Sequence, residues 1–145
     1  MLSYADLAEI IPKTSGIKNV SIHFHTITLN SSIPMAKGLF IYNNADPDLL
    51  EAIGNGAIAA IWPHDVKLPH YTPNHFPIFY VNKPVDSLIV IVKKHINKII
   101  LNNSGDMTNM ILKSTELPTE DTNIREVISL LSKKNDDNQN GREHI

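Results

Sequence analysis

The spacing of apolar positions changes several times along the chain, and each change marks an element. Ser3 followed three residues later by Asp6 forms a capping-box variant, and Leu7, Ile10 and Ile11 recur at helical spacing until Pro12, which predicts a short first helix. From Val20 the period becomes two. Val20, Ile22 and Phe24 share one face while Ser21, His23 and His25 share the other, as in a half-buried strand, and the strand is expected to run to Leu29. Asn30, Ser31, Ser32 and Pro34 make a polar turn, and Gly38-Leu39-Phe40-Ile41-Tyr42 is apolar enough for a central strand.

The next unit has the clearest local grammar. Asp46 is placed to cap a helix, Pro47 to occupy its first position, Leu49, Leu50 and Ile53 to form a buried stripe, and Gly54 or Gly56 to stop it after about ten residues. Ala57-Ile58-Ala59-Ala60-Ile61-Trp62 and Pro77-Ile78-Phe79-Tyr80-Val81 then read as strands on either side of a loop rich in Pro, His and Asn. Pro84 opens a further helix in which Leu88, Ile91, Val92, His95 and Ile96 lie near one face, with Lys93, Lys94 and Lys98 outside, so this helix is expected to cover the sheet. Asn102 to Asp106 reads as a loop, with helices around 107–113 and 124–134 after it, and the polar run beyond Asn135 reads as a disordered tail. The alternation of strands and helices makes the chain α/β. The expected organisation is an α/β domain over 1–101, a helical extension over 102–134 and a tail over 135–145.

Bulk properties narrow the function classes. With 145 residues, 42% of them hydrophobic, the chain is sized for one packed domain plus a tail. A formal charge of -2 and no basic run interleaved with aromatics argue against nucleic acid as a partner. The longest apolar run near the middle, Leu88 to Val92, falls far short of the roughly 20 residues of a spanning helix. Asp6 and Glu9 stand where a secretory signal would be basic, so no membrane association is expected. The absence of cysteine removes disulfides, thiol catalysis and cysteine-based zinc sites, and fits a cytoplasmic location.

Three segments, taken in order and spacing, resemble a known family. Thr28-Leu29-Asn30-Ser31-Ser32, Lys37-Gly38-Leu39-Phe40-Ile41 and the stretch from Glu51 through Gly54, Gly56 and Ala57 to Ile61 are similar to the small N-terminal, uridine-nucleotide-binding domain of the Mur ligases. In that family a strand leads to Asp-Ser-Arg, then a Gly-Asp-Leu-Phe strand, then a helix ending in Gly-Ala before another strand. The resemblance spans residues 1–100. It implies a small mixed sheet flanked by helices, followed here by short C-terminal helices, and a ligand of the UDP-N-acetylmuramyl type or a protein partner. The residues it points to are Asn30, Ser31, Ser32, Lys37 and Asp46.

The departures from the family pattern matter as much. Ser31 keeps the hydroxyl, but Asn30 replaces the Asp and Ser32 the Arg, so a charge-assisted contact of about 1.5 to 3 kcal/mol is absent. Lys37, a flexible point charge, compensates only in part. The family's ATP domain starts with Gly-x-x-Gly-Lys-Thr after a strand. Lys98-Ile99-Ile100-Leu101-Asn102-Asn103-Ser104-Gly105-Asp106-Met107-Thr108 resembles that segment with Gly105 kept and with Asp106 and Met107 at the Lys and Thr positions. Asp106 would repel a phosphate. Read without the family, the same residues are a polar turn. With no central ligase domain after it, the chain is expected to be non-catalytic.

Other candidate residues have plainer readings. His23 and His25 could share a metal with His64, His70 or His75, but no ligand spacing here is diagnostic and no metal or cofactor is expected. His95 is assigned to packing or an interface, Trp62 and Tyr80 to core or edge packing, and Asp46 first of all to a helix cap whose carboxylate discourages phosphate. The functional expectation is therefore a non-catalytic Mur-ligase-like domain that binds a UDP-sugar or a protein partner in a cell-wall-related role. Two alternatives stay open: the N-terminal piece of a split ligase, and a structural protein that self-associates as a homo-oligomer.

Overall fold

The computed structural model describes residues 1–18, 21–45, 48–102 and 108–111. Asn19, Val20, Asp46, Pro47, residues 103–107, and the expected helix and tail beyond Ile111 lie outside the described residues. The elements in chain order are β1 (Leu2–Ser3), α1 (Tyr4–Ile10), β2 (Thr14–Ser15), β3 (His23–Phe24), β4 (Thr26–Thr28), β5 (Gly38–Ile41), α2 (Leu49–Gly54), β6 (Ala57–Pro63), β7 (Ile78–Val81), α3 (Pro84–Asn102) and β8 (Asn109–Ile111). They form an α/β fold with a mixed sheet flanked by helices. The six-stranded sheet runs β2-β7-β6-β5-β4-β8; β7, β6, β5, β4 and β8 are mutually parallel and β2 is antiparallel to β7. No described helix is long and apolar enough to cross a membrane.

Strand alternation divides the core into two layers. One face is set by Ile27, Leu39, Ile41, Ala59, Ile61 and Phe79, which pack against Leu7 of α1 and Leu88, Ile91 and Val92 of α3. Their neighbours Phe40, Ala60, Trp62 and Ile78 point the other way and pack with Met35 and with Leu49 and Ala52 of α2. Both faces of the parallel strands are thus covered, which is why these segments are near-continuously apolar.

The helices form where the local pattern predicts, with two differences. In α1 the Ser3 hydroxyl accepts from the Asp6 N–H at 3.2 Å and the Asp6 carboxylate accepts from the Ser3 N–H at 2.9 Å, a complete capping box. Helix α2 starts later than expected: Asp48 caps it, accepting from the Glu51 N–H at 3.0 Å, and it spans 6 residues. Its buried side is Leu49 and Ala52, while Leu50 is 56% exposed, so the stripe that faces the sheet is not the expected Leu49, Leu50 and Ile53. Helix α3 buries Leu88, Ile91, Val92 and His95 as the spacing predicts. Lys98 is not outside: its ammonium donates to Asp6 at 2.7 Å and to the Met1 carbonyl at 2.6 Å, fastening α3 to α1. Burial raises the Asp6 carboxyl, but the bonds from Lys98 and Ser3 outweigh it and hold it below its ordinary value.

Two strand expectations are corrected. The strand predicted up to Leu29 is divided at His25: His23–Phe24 pairs with β1 in a separate two-stranded sheet, whereas Thr26–Thr28 joins the main sheet. The helix predicted around 107–113 is replaced over Asn109–Ile111 by β8, which pairs with β4 in parallel. A three-residue edge strand is too short to show a period of two, so the local pattern cannot reveal it.

Candidate functional site

Parallel strands leave the sheet in one direction, so their carboxyl ends deliver successive loops to one edge, where open α/β sheets hold their ligands. Here that edge carries Asn30–Ser32 after β4, Tyr42–Asn44 after β5, His64–Val66 after β6 and Asn82–Lys83 after β7. A cavity of about 440 Å³ opens among the last three loops, with Tyr42, Asn43, Asn44, Asp65, Asn82 and Lys83 in its wall. The first turn of α3 completes the wall through Pro84, Val85 and Asp86.

Hydrogen bonds fix the loops to one another. The Asn43 amide donates to the Leu29 carbonyl at 2.6 Å, tying the end of β4 to the crevice. The Tyr42 hydroxyl donates to Asn44 Oδ1 at 3.3 Å, and the Tyr42 ring meets Trp62 edge-on with centroids 4.7 Å apart. Trp62 is buried and its indole donates to the Val66 carbonyl at 3.1 Å, which closes the loop after β6. The indole is therefore part of the core, as expected, and its face is not open for stacking.

The five residues singled out from the sequence do not form one cluster. Asn30, Ser31 and Ser32 share the turn after β4, where Asn30 Oδ1 accepts from the Ser32 N–H at 3.0 Å and the Ser32 hydroxyl at 2.7 Å. Ser31 is 0% exposed; its hydroxyl donates to Glu51 at 3.4 Å and its carbonyl accepts from the Asn55 amide at 2.8 Å. Its side chain braces α2, and Asn30 and Ser32 are the members of the turn that meet solvent. Lys37 belongs to the other end of the strands. The register pairs Thr26 with Gly38, so Lys37 is level with His25. Asn30 lies five residues further on, which at about 3.3 Å per residue is on the order of 15 Å away. Asp46 lies outside the described residues.

The histidines are likewise dispersed. His23 and His25 lie beside Lys37 in a separate cavity, His64 stacks on Tyr80 with centroids 6.2 Å apart, and His70 and His75 are exposed. Among the described residues no three His, Asp or Glu side chains converge as a metal site. The segment resembling the start of an ATP domain begins in the last turns of α3, since Lys98 to Asn102 is helical. A phosphate loop follows a strand, and that geometry is not present over these residues.

The crevice residues Asn43, Asn44, Asn82 and Lys83 carry no motif. Their only signal in the sequence is position, each standing just past the end of an apolar strand. Chemically they offer recognition: three amides that both donate and accept and one ammonium, with the carboxylates of Asp65 and Asp86 in the same lining. No protein-family model matches the chain, and no curated protein is similar enough to count as a relative.

Proposed function

We propose that this chain is a non-catalytic binding domain that takes the nucleoside end of a UDP-sugar, of the kind used as a cell-wall precursor, in the crevice at the carboxyl ends of β5, β6 and β7. The observation that carries the reading is the amide lining of Asn43, Asn44 and Asn82, joined to the Asn30–Ser32 turn through Asn43. Uracil presents an N–H between two carbonyls, and an asparagine amide matches such an edge because it donates and accepts side by side. Lys83 shares the crevice lining with the two carboxylates of Asp65 and Asp86, so the diphosphate receives little charge-assisted help. Binding is therefore weak and decided by the base.

Calorimetric and thermal-shift titrations with UDP-N-acetylmuramyl peptides, UDP, UMP and ATP test this, because a ligand that prefers the native state raises its apparent stability. The uridine compounds should stabilise, UMP nearly as well as UDP, and ATP should not. Asn82→Ala, at an exposed position, should remove the shift, whereas Lys83→Ala, also exposed, should change it little. No stabilisation by any uridine compound would sink the nucleotide reading and leave a protein partner as the ligand of this surface.

A further inference from the structure

A second cavity, of about 630 Å³, opens at the amino-terminal ends of β4, β5 and β6, and three independent features meet in it. The first is charge. His23, His25, Lys37 and Lys98 line it together with apolar Ile22 and Ile58, and among the described residues no carboxylate does. Asp6 neutralises Lys98 at 2.7 Å, whereas Lys37 is exposed and makes no ion pair among the described residues.

The second feature is backbone. Lys37 has φ 44, the left-handed region that a lysine rarely occupies, and among the described residues it is the one non-glycine with positive φ. The His25 N–H donates to the Lys37 carbonyl at 3.1 Å and the Gly38 N–H to the Gly56 carbonyl at 3.0 Å, which holds the chain on both sides of it. Glycine would fit this conformation without strain, so lysine occupies the position against local preference. The third is a register shift: Gly38 pairs with Ala57 but Leu39 with Ala59, leaving Ile58 as an extra residue. Bulges are rare between parallel strands and re-aim a side chain where they occur. Ile58 lines this cavity.

The donor set selects the ligand. His23 Nδ1 lies 2.9 Å from the Ser21 carbonyl, which can only accept, so Nδ1 carries a proton; Nε2 donates to an oxyanion in the imidazolium form, and the Lys37 ammonium is a donor throughout. Two imidazoles without a third ligand group hold a metal poorly, while imidazole and ammonium groups around apolar side chains suit an anion on an organic body. We propose that this cavity binds a small organic oxyanion, a phosphate- or carboxylate-bearing metabolite whose charge is held by Lys37 with His23 and His25 and whose apolar part rests on Ile22 and Ile58.

The test titrates the full chain with pyrophosphate and, separately, with citrate, followed by calorimetry and backbone amide shifts. At least one anion should bind and move the amide signals of His25, Lys37, Gly38 and Ile58; the preferred anion identifies phosphate or carboxylate as the group recognised. Lys37→Gly and Lys37→Asn both tolerate the left-handed backbone and remove the charge. Each should weaken binding by roughly tenfold or more, the worth of a charge-assisted contact, without lowering the melting temperature. Asn82→Ala, at the opposite end of the sheet, should leave anion binding unchanged. Failure of both anions to bind at millimolar concentration overturns the proposal, and so does undiminished binding in both Lys37 variants.

Discussion

Thr108 and Leu2 are joined by a buried hydrogen bond, the Leu2 N–H donating to the threonine hydroxyl at 2.8 Å across 106 positions of chain. The same hydroxyl donates to the Phe24 carbonyl at 2.7 Å. One side chain, 1% exposed, thus links β1, β3 and the approach to β8. Thr108→Val keeps the shape and removes both bonds, leaving the Leu2 N–H and a carbonyl unsatisfied in the interior. We expect a loss of about 2 kcal/mol, seen as a lower urea midpoint with unchanged slope, and a loss below about 1 kcal/mol for Thr108→Ser.

His95 sets a pH dependence. It is fully buried, and among the described residues neither ring nitrogen has a hydrogen-bond partner. Burial, reinforced by nearby positive charge including Lys98, pushes its pKa from 6.5 down to about 4. The unfolded chain therefore takes up the proton first as pH falls. Stability contributed by the neutral imidazole is complete above about 6.5 and is lost progressively towards about 4. His95→Leu should be no less stable at neutral pH and should flatten melting temperature against pH across that window. The contribution of Asp6, whose carboxyl is held low, is present above its ordinary value of 3.8 and disappears only at still lower pH. An unchanged pH profile in His95→Leu would refute this assignment.

Two glycines of one turn should respond oppositely to alanine. Gly56 has φ 115, and a Cβ there would collide with the Met35 carbonyl oxygen. Gly54, the last residue of α2, has open space around its Cβ position. Chemical denaturation should show Gly56→Ala destabilised by about 2 kcal/mol or more and Gly54→Ala stabilised by about 0.5 kcal/mol.

Ser31 separates bracing from ligand contact. Since its hydroxyl is buried against Glu51, Ser31→Ala should cost about 1 kcal/mol of stability in a denaturant titration. Affinity for any ligand of the neighbouring crevice should hold within about twofold, a change worth under 0.5 kcal/mol. A loss of affinity comparable to that of Asn82→Ala would show that the hydroxyl reaches the ligand.

The sequence by itself determined what depends on near neighbours. The Ser3 and Asp6 cap, the apolar runs of β5, β6 and β7, and the buried face of α3 all follow from spacing within a turn or a strand, and all are found in place. Position 48 capping α2 in place of Asp46 is a shift within the same local grammar. Tertiary structure alone decided which segments pair. The break at His25 exists because Phe24 pairs with Leu2 while Thr26 pairs with Gly38 and Asn109, choices made by partners far away in sequence. The sites are of this second kind. Asn43 and Asn82 line one crevice because parallel strands bring loop ends from separate crossovers to a common edge, and Lys37, His23 and Lys98 line the other because the start of β5, β3 and α3 converge there; no periodicity along the chain encodes either.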